Sequence, residues 1–182
     1  MNALIFDCDG VLAETERDGE LRPRPGIARL AMEAYRNGWR LAVASTSEFE
    51  LVAAVLEIAV GRGVASKFEI FAGDVVTHKK PAPDVYEFAL GHIGIAAPDA
   101  IAIESSRNGM LAAVRAGVRC VVTVSTFTRD EDFSEAQLVV SSLGDPGGER
   151  TTVLADRGHV EVDGFVSLET LVTARAASRA VS

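Results

Sequence analysis

Short apolar segments alternate with longer segments of helical periodicity, and this alternation constrains the fold more than any other feature of the chain. The apolar segments predict β-strands at 3–7, 40–45, 68–71, 100–104 and 119–123. Helical spacing lies between them, at 26–37, 49–59, 83–93 and 108–116. Repeated strand–helix units form parallel sheets that are covered on both faces. The sequence therefore predicts an α/β fold with a central parallel sheet.

The last part of the chain has a different pattern. Residues 125–140 are polar and then apolar, residues 144–150 have turn composition, and residues 153–165 predict a hairpin around Asp156 to Gly158. A final helix is predicted at 166–179, against the edge of the sheet. Because neither a linker nor an internal repeat interrupts the chain, we expect a single domain over residues 1–182.

Composition limits the classes of function. The chain has 18 Lys and Arg against 26 Asp and Glu, a net charge of −8, so we expect no nucleic-acid partner, although a local pocket can still bind a small anion. No apolar run reaches the roughly 18 residues that span a membrane, and no basic flank precedes the first strand, so we expect a cytoplasmic protein with no membrane partner. Cys8 and Cys120 lie in or beside apolar segments, which predicts packing roles and no disulfide.

Polar side chains follow four of the predicted strands. In an open parallel sheet the ligand site lies outside the carboxyl ends of the strands, so these residues are expected to lie together. They are Asp7 and Asp9 after the first strand, Ser45 and Thr46 after the second, Lys80 beyond the third, and Glu104 with Ser105 at the fourth. Gly10 allows an immediate turn that leaves backbone amides facing an anion.

These residue types together predict phosphoryl transfer. Asp7 is suited to attack phosphorus and form an aspartyl-phosphate, and Asp9 to protonate the leaving alcohol and later deprotonate water. Two carboxylates and a phosphate repel one another, so the site needs a cation, and Mg²⁺ prefers such oxygen ligands. Lys80 adds positive charge beside the transferred group, and the Ser45 hydroxyl can hold its oxygens.

Each feature also has an ordinary structural explanation when taken alone. An Asp-X-Asp pair is common in solvated turns, and an isolated lysine is usually a surface charge. Thr46 or Ser47 can simply cap the helix that begins at Phe49, and Glu104 with Ser105 can belong to a loop. The combination at successive strand ends is what favours a functional site. The three histidines form no cluster at ligand spacing and are assigned no role: His78, His92 and His159.

Four segments resemble, in order, the motifs of the haloacid dehalogenase-like superfamily of aspartate-dependent phosphatases and phosphomutases: DCDGVLAETE, LAVASTS, HKKPAPDVY and IAIESSRNGMLAAVRAG. The resemblance implies a Rossmann-like three-layer core. It implies Asp7 as nucleophile, Asp9 as acid and base, and Ser45 and Lys80 as phosphate ligands, and the fourth motif completes a Mg²⁺ site. The remaining assignments are Thr46 and Asn108 to substrate binding, and Asp7, Asp9, Glu104 and Ser105 to the metal.

Longer segments are similar to the CbbY-type members of the superfamily, up to about residue 150: RPGIARL, IFAGDVVTHKKPAPDVY and TRDEDFSEAQLVVSSLGDPGGER. CbbY-type proteins are phosphatases of sugar phosphates. The resemblance implies xylulose-1,5-bisphosphate as substrate, a misfire product that inhibits the carbon-fixing carboxylase. The second carboxylate, Asp9, argues against a dehalogenase, because those members lack it.

The chain departs from the family pattern in two places. A helical cap domain normally follows the first motif, but here only Arg17 to Arg24 separates Glu16 from Pro25, which predicts a short surface loop over 17–25 and no cap domain. An open site excludes less water, so turnover should be slower and less selective, and the uncovered apolar surface favours self-association. Ser105 stands where the family usually has aspartate, so Mg²⁺ affinity should fall.

The sequence therefore predicts a magnesium-dependent phosphatase that acts on a sugar phosphate or a related small ester, with a small phosphorylated metabolite as its partner. An alternative from another class is a phosphate-binding or scaffold protein that has lost efficient turnover. A third interpretation, a reduced core derived from a sugar phosphatase, natural or engineered, is compatible with the same residues. A phosphomutase fits least, because it needs a cap to reorient its intermediate.

Overall fold

A seven-stranded sheet lies between two layers of helices in the computed structural model, which describes residues 1–15 and 20–179. The strands, in chain order, are β1 (Ala3–Phe6), β2 (Ala13–Thr15), β3 (Leu21–Pro23), β4 (Arg40–Ala44), β5 (Phe68–Phe71), β6 (Ala100–Glu104), β7 (Arg119–Thr123), β8 (Leu138–Val140) and β9 (Val153–Asp156). The helices are α1 (Ile27–Arg36), α2 (Phe49–Val60), α3 (Arg62–Ala65), α4 (Asp84–Ile93), α5 (Arg107–Arg115) and α6 (Leu168–Arg179), with a 3-10 turn at Ala97–Asp99.

The spatial order of the sheet is β5-β4-β1-β6-β7-β8-β9, with every neighbouring pair parallel except β8 and β9. The central strand β1 is buried along its whole length and pairs with β4 and β6, so that Phe6 lies between Val43 and Ile103. Apolar clusters cover both faces, as parallel strands require. The α/β fold, the five strands and the helices between them are confirmed.

Helix α1 begins where Gly26 brings two segments of backbone close together. Gly26 has φ 83°, and a Cβ atom there would lie 2.5 Å from the carbonyl oxygen of Gly144, so a larger residue would clash with the turn after β8. The helix then buries Ile27, Leu30 and Ala34 against the sheet. The close approach of α1 to the turn after β8 thus requires glycine at this position.

The predicted hairpin over 153–165 is wrong. Strand β9 is present, but its partner is β8, with Val139 opposite Ala155. After β9, the Asp156 carboxylate accepts hydrogen bonds at 2.9 Å from the amides of Gly158 and Val160, which turns the chain away from the sheet. Strand β9 therefore pairs with the open edge of β8, and not with the residues after Gly158 as the hairpin prediction required.

The segment 17–25 is only partly a loop. Strand β3 lies inside it and pairs antiparallel with β2, and residues 16–19 lie outside the described part of the chain. This pairing satisfies backbone groups, and Leu21 packs against the main apolar cluster. Of the helices in residues 1–15 and 20–179, none has the length and apolar character needed to cross a membrane.

Candidate active site

The turn after β1 places two carboxylates at the carboxyl edge of the sheet. Asp7 follows the last residue of β1, and Gly10, at φ 72°, reverses the chain two residues before Leu12. A Cβ atom at Gly10 would lie 2.9 Å from Ser105 Oγ, so the close approach of these two loops needs glycine. Asp7 and Asp9 line a cavity of about 430 Å³, and the other predicted site residues that line it are Thr46, Lys80, Ser105 and Asn108.

Lys80 joins the carboxyl ends of β1, β4 and β6. Its Nζ donates hydrogen bonds to Asp7 Oδ1 at 2.8 Å, to Glu104 Oε1 at 2.6 Å and to the Ala44 carbonyl oxygen at 2.9 Å. Burial lowers the pKa of the Lys80 ammonium, but the charges of Asp7 and Glu104 outweigh it and hold this pKa above its usual range. Lys80 is therefore a permanent positive charge against the carboxylate of Asp7.

Glu104 is fully buried behind Lys80 and does not line the cavity. The hydroxyl of Tyr86 donates to Glu104 Oε1 at 2.6 Å. Burial and the neighbouring charge of Asp7 raise the pKa of the Glu104 carboxyl, against the opposing charge of Lys80. A Cβ atom at Gly109 would lie 1.9 Å from Glu104 Oε2, so that glycine makes the space for this carboxylate.

The two serines that follow β4, Ser45 and Ser47, form hydrogen bonds with protein groups. Ser45 is buried, and its Oγ accepts a hydrogen bond from the Ser47 amide at 3.1 Å, so it does not line the cavity. The interpretation of Thr46 or Ser47 as a helix cap is wrong, because α2 has no side-chain cap. Ser47 Oγ instead donates to Asp9 Oδ2 at 2.7 Å and orients that carboxylate.

Few oxygen atoms around Asp7 are available to bind a cation. Within residues 1–15 and 20–179, no group of three or more His, Cys, Asp or Glu residues could hold a metal. Ser105 Oγ donates to the Asp9 carbonyl oxygen at 2.8 Å, and Glu104 is engaged by Lys80. The Asp7 carboxylate, the Asp9 carbonyl and Ser105 Oγ fit Mg²⁺, which takes one or two carboxylates and keeps several waters.

Sequence reasoning missed residues that belong to this site. Tyr86 and Ser47 lie within the quoted motifs, but only side-chain direction shows their contacts with Glu104 and Asp9. The loop after β7 also lines the cavity through Ser125 and Phe127, and the side chain of Phe127 is 79% exposed. The strand-end rule that located the other positions applies equally to β7 and would have found this loop.

Both cysteines are buried and free. Burial, together with the charges of Asp9 and Asp7, raises the pKa of the Cys8 thiol to about 12. Burial likewise raises the pKa of the Cys120 thiol well above its usual range. Both thiols are therefore protonated and unreactive near neutral pH, although Cys8 lies between the two aspartates.

Comparison with known proteins assigns the family. The model of the haloacid dehalogenase-like hydrolases matches residues 14–117. The chain belongs to this family. Among curated relatives of this haloacid dehalogenase-like hydrolase, a CBBY-like protein of Arabidopsis thaliana is 43% identical over 127 residues, covering 70% of this chain and 40% of that protein. Protein CbbY of Cereibacter sphaeroides is 41% identical over 143 residues, covering 75% of this chain and 62% of that protein.

A solved structure has the same fold. It is CbbY from Rhodobacter sphaeroides, as a mutant in complex with xylulose-1,5-bisphosphate, with a TM-score of 0.70 and 29% identity over 81% of this chain and 97% of that one. The expected resemblance to CbbY-type members is confirmed. The chain spans less than two thirds of the length of the two curated relatives.

Proposed function

We propose that this haloacid dehalogenase-like hydrolase is a magnesium-dependent phosphatase that hydrolyses a sugar phosphate or a similar small ester through an aspartyl-phosphate on Asp7. The observation that carries the proposal is the bond from buried Lys80 to Asp7 at the floor of an open cavity, with Asp9 on its rim. Its similarity to CbbY, one form of which binds xylulose-1,5-bisphosphate, supports the substrate class and makes that ester the first to test.

The proposal gives each side chain a part that its contacts support. Lys80 engages Asp7 Oδ1, so Oδ2 is the atom that attacks phosphorus and forms the new bond as the alcohol leaves. Ser47 orients Asp9, which gives its proton to the departing oxygen and then takes one from the water that hydrolyses the aspartyl-phosphate. Thr46 and Asn108 line the cavity, which supports the proposal that they contact the phosphoryl oxygens.

The metal part of the proposal concerns three oxygen donors. The Asp7 carboxylate, the Asp9 carbonyl and Ser105 Oγ would hold Mg²⁺, together with substrate and water. The ion, when bound, would screen the repulsion between Asp7 and the phosphate dianion. Ser105 carries no charge, and Glu104 is bonded to Lys80. We therefore propose that this site binds Mg²⁺ more weakly than a site with a second available carboxylate does.

The decisive experiment measures phosphate release from a panel of sugar mono- and bisphosphates, including xylulose-1,5-bisphosphate, with Mg²⁺ and with a chelator. We expect Mg²⁺-dependent release that Asp7→Asn abolishes without loss of the folded circular dichroism spectrum. Asp163→Asn, at a fully exposed aspartate, is the matched control and should keep full activity. Turnover retained by Asp7→Asn would remove Asp7 as nucleophile.

A second candidate is a phosphate-binding or scaffold protein with little turnover. It is favoured by the hydrogen bonds that tie Glu104 to Lys80 and Tyr86, and by the serine at position 105, because both reduce the charge available to a cation. The same panel separates the two. A folded chain that binds inorganic phosphate but releases none from any ester at saturating Mg²⁺ would support this candidate.

A further inference from the structure

A second cavity, of about 640 Å³, adjoins the first at the same edge of the sheet. Glu14 and Ser125 line both cavities, so the two spaces are neighbours. Its walls come from the end of β3 and from the turns after β7 and β8, which end at this edge because the two strands are parallel. Three arginines line it, and we call it the arginine cavity: Arg22, Arg24 and Arg129.

Arg24 forms a buried wall of the arginine cavity. Its side chain is 8% exposed, and Nη1 donates to Glu14 Oε2 at 3.0 Å. Nη2 donates to Thr123 Oγ1 at 2.7 Å and to the carbonyl oxygens of Val124 and Ser141 at 2.9 Å. The guanidinium therefore fastens β3 to the ends of β7 and β8 and neutralises one of the two glutamates that line the cavity.

The remaining charges in the arginine cavity are less constrained. Arg22 pairs with Glu20 at 3.1 Å, and both side chains are more than half exposed, so the pair is weak. Arg129 is exposed and forms no ion pair with any residue in the described part of the chain. Glu149 is the other acidic residue of the lining. Once Glu14 is paired with Arg24, the lining keeps two exposed guanidinium groups, one of them in a weak pair with Glu20, against the carboxylate of Glu149.

Two buried polar atoms of the lining residues are unsatisfied. Arg24 Nε and Ser142 Oγ have no hydrogen-bond partner within residues 1–15 and 20–179. A buried polar group without a partner is costly, so native structures usually supply one. Both atoms lie beneath the lining, so they show that this wall is polar but are not themselves contacts for a molecule in the cavity.

We propose that the arginine cavity binds a phosphate-class dianion beside the reaction site. Guanidinium groups match phosphate oxygens with paired N–H donors, and two residues with hydroxyl side chains, Ser141 and Thr152, line the same space. The dianion is either the far phosphate of a substrate phosphorylated at both ends or free inorganic phosphate. The first source rests on the proposed function, whereas binding in the cavity does not.

The binding test titrates the full chain with inorganic phosphate and follows backbone amides by ¹⁵N–¹H NMR. We expect the amides of Thr126, Ser142 and Thr152 to shift and saturate together. Arg129→Ala should weaken this binding about tenfold, as the loss of one charge-assisted contact implies. Glu149→Gln should strengthen it, because it removes a like charge from the lining.

Arg36→Ala is the matched control, because Arg36 is an exposed arginine in the last turn of α1, at the opposite edge of the sheet. It should leave the dissociation constant for phosphate unchanged. Absent shifts at Thr126, Ser142 and Thr152, or an equal dissociation constant for the wild type and Arg129→Ala, would overturn the proposal. Shifts confined to Asp9 and Ser105 would also overturn it, since they would report the first cavity alone.

Kinetics then distinguish the two sources. The quantity to measure is the ratio of kcat/KM for a sugar bisphosphate to kcat/KM for the corresponding monophosphate. A ratio that falls about tenfold in Arg129→Ala identifies the far phosphate of the substrate, and an unchanged ratio with weakened phosphate binding identifies free phosphate. If no ester is hydrolysed, the proposed function fails, while the NMR titration still decides whether the cavity binds phosphate.

Discussion

At the scale of single residues, Lys80 has the greatest influence on the site, because two carboxylates depend on its charge. Its Nζ contacts both Asp7 and Glu104, and Glu104 is fully buried. Removing one partner of a buried ion pair leaves an uncompensated charge, which costs far more than losing an exposed pair. Lys80 therefore stabilises the fold as well as the carboxylate of Asp7.

We predict that Lys80→Ala lowers the free energy of unfolding by about 3–5 kcal/mol, because Glu104 then keeps, within the part of the chain that the structure describes, only Tyr86 and the Ser105 amide as donors. Urea denaturation monitored by circular dichroism measures this change. Lys79→Ala is the control at the neighbouring position, where the lysine is part-exposed and pairs with an exposed aspartate. A loss below about 1 kcal/mol in Lys80→Ala would contradict the buried pairing.

Ser105 determines how the site responds to a cation. Its Oγ donates to the carbonyl oxygen of Asp9, so an aspartate at this position would place two oxygen groups against each other. We predict that Ser105→Asp lowers Tm in the presence of a chelator, because the new carboxylate also faces Asp7. Saturating Mg²⁺ should reverse the sign and raise Tm above that of the wild type, since the metal binds the folded state.

Ser105→Ala is the appropriate control, because it removes the hydrogen bond to Asp9 without adding charge. Because it also removes the oxygen proposed here as a Mg²⁺ ligand, it should lower Tm relative to the wild type more with Mg²⁺ than with chelator. Differential scanning fluorimetry over a Mg²⁺ series measures all three proteins. If Ser105→Asp responds to Mg²⁺ no more than Ser105→Ala does, position 105 lies outside any metal site.

At the scale of elements, Arg29 of α1 contacts both the turn after β8 and the segment before α6. Arg29 Nη2 donates to the carbonyl oxygens of Gly144 at 3.0 Å and Val166 at 2.9 Å, and Arg29 Nε donates to Asp145 Oδ1 at 3.3 Å. The guanidinium also lies 4.8 Å from the ring centroid of Phe165. These contacts join the turn after β8 and the start of α6 to one helix.

We predict that Arg29→Ala lowers the free energy of unfolding by about 1–3 kcal/mol, because charge-assisted bonds to part-buried carbonyl oxygens are lost. Hydrogen exchange should quicken in β9 and α6 more than in β1. Arg36→Ala, on the same helix, is exposed and should change the free energy of unfolding by less than about 0.5 kcal/mol. Equal effects of the two substitutions would show that Arg29 does not join these elements.

Sequence predicted the parallel part of the sheet well, because strands buried on both faces are continuous apolar runs. The strand predicted at 68–71 coincides with β5, and the one at 100–104 with β6. The strands outside this parallel part, β9 and β3, were predicted poorly. Strand β9 pairs with β8 and not with the residues that follow it, and β3 pairs with β2, whose residues belong to the first motif. Local periodicity carries no information on such partners.

For the site, too, the sequence predicted some features and not others. Strand-end position brought Asp7, Asp9 and Lys80 together as predicted, because parallel strands end at one edge. The contacts that orient these groups depend on side-chain direction. Ser47 reaches Asp9, and Glu104 lies behind Lys80, and neither arrangement follows from spacing along the chain. Sequence therefore predicts which residues meet, and the structure shows which of them face the cavity.

At the scale of the whole molecule, the site is open on the side where its apolar rim meets solvent. Phe127 is 79% exposed at the mouth of the first cavity, and Leu21 is only partly buried beside it. Covering this rim with a second copy of the chain would bury apolar area and exclude water from Asp7. The net charge of −8 opposes such an approach, since like-charged molecules repel one another.

We predict weak self-association that increases with salt. Raising the ionic strength from about 0.05 M to about 0.5 M screens the repulsion between two acidic chains and leaves apolar burial intact. Light scattering should then give an average mass that rises with protein concentration above the monomer value of 19.3 kDa. Phe127→Ser should reduce this rise, whereas Ile58→Ser, at an exposed apolar residue of α2, should not.

The catalytic readout separates association over the site from association elsewhere. If a second copy covers the rim, phosphate release per molecule should change with protein concentration in the wild type and stay constant in Phe127→Ser. A monomer mass at every concentration and salt would contradict the prediction directly. An equal loss of association in Ile58→Ser would instead place the contact on α2, leaving the cavity open to solvent during turnover.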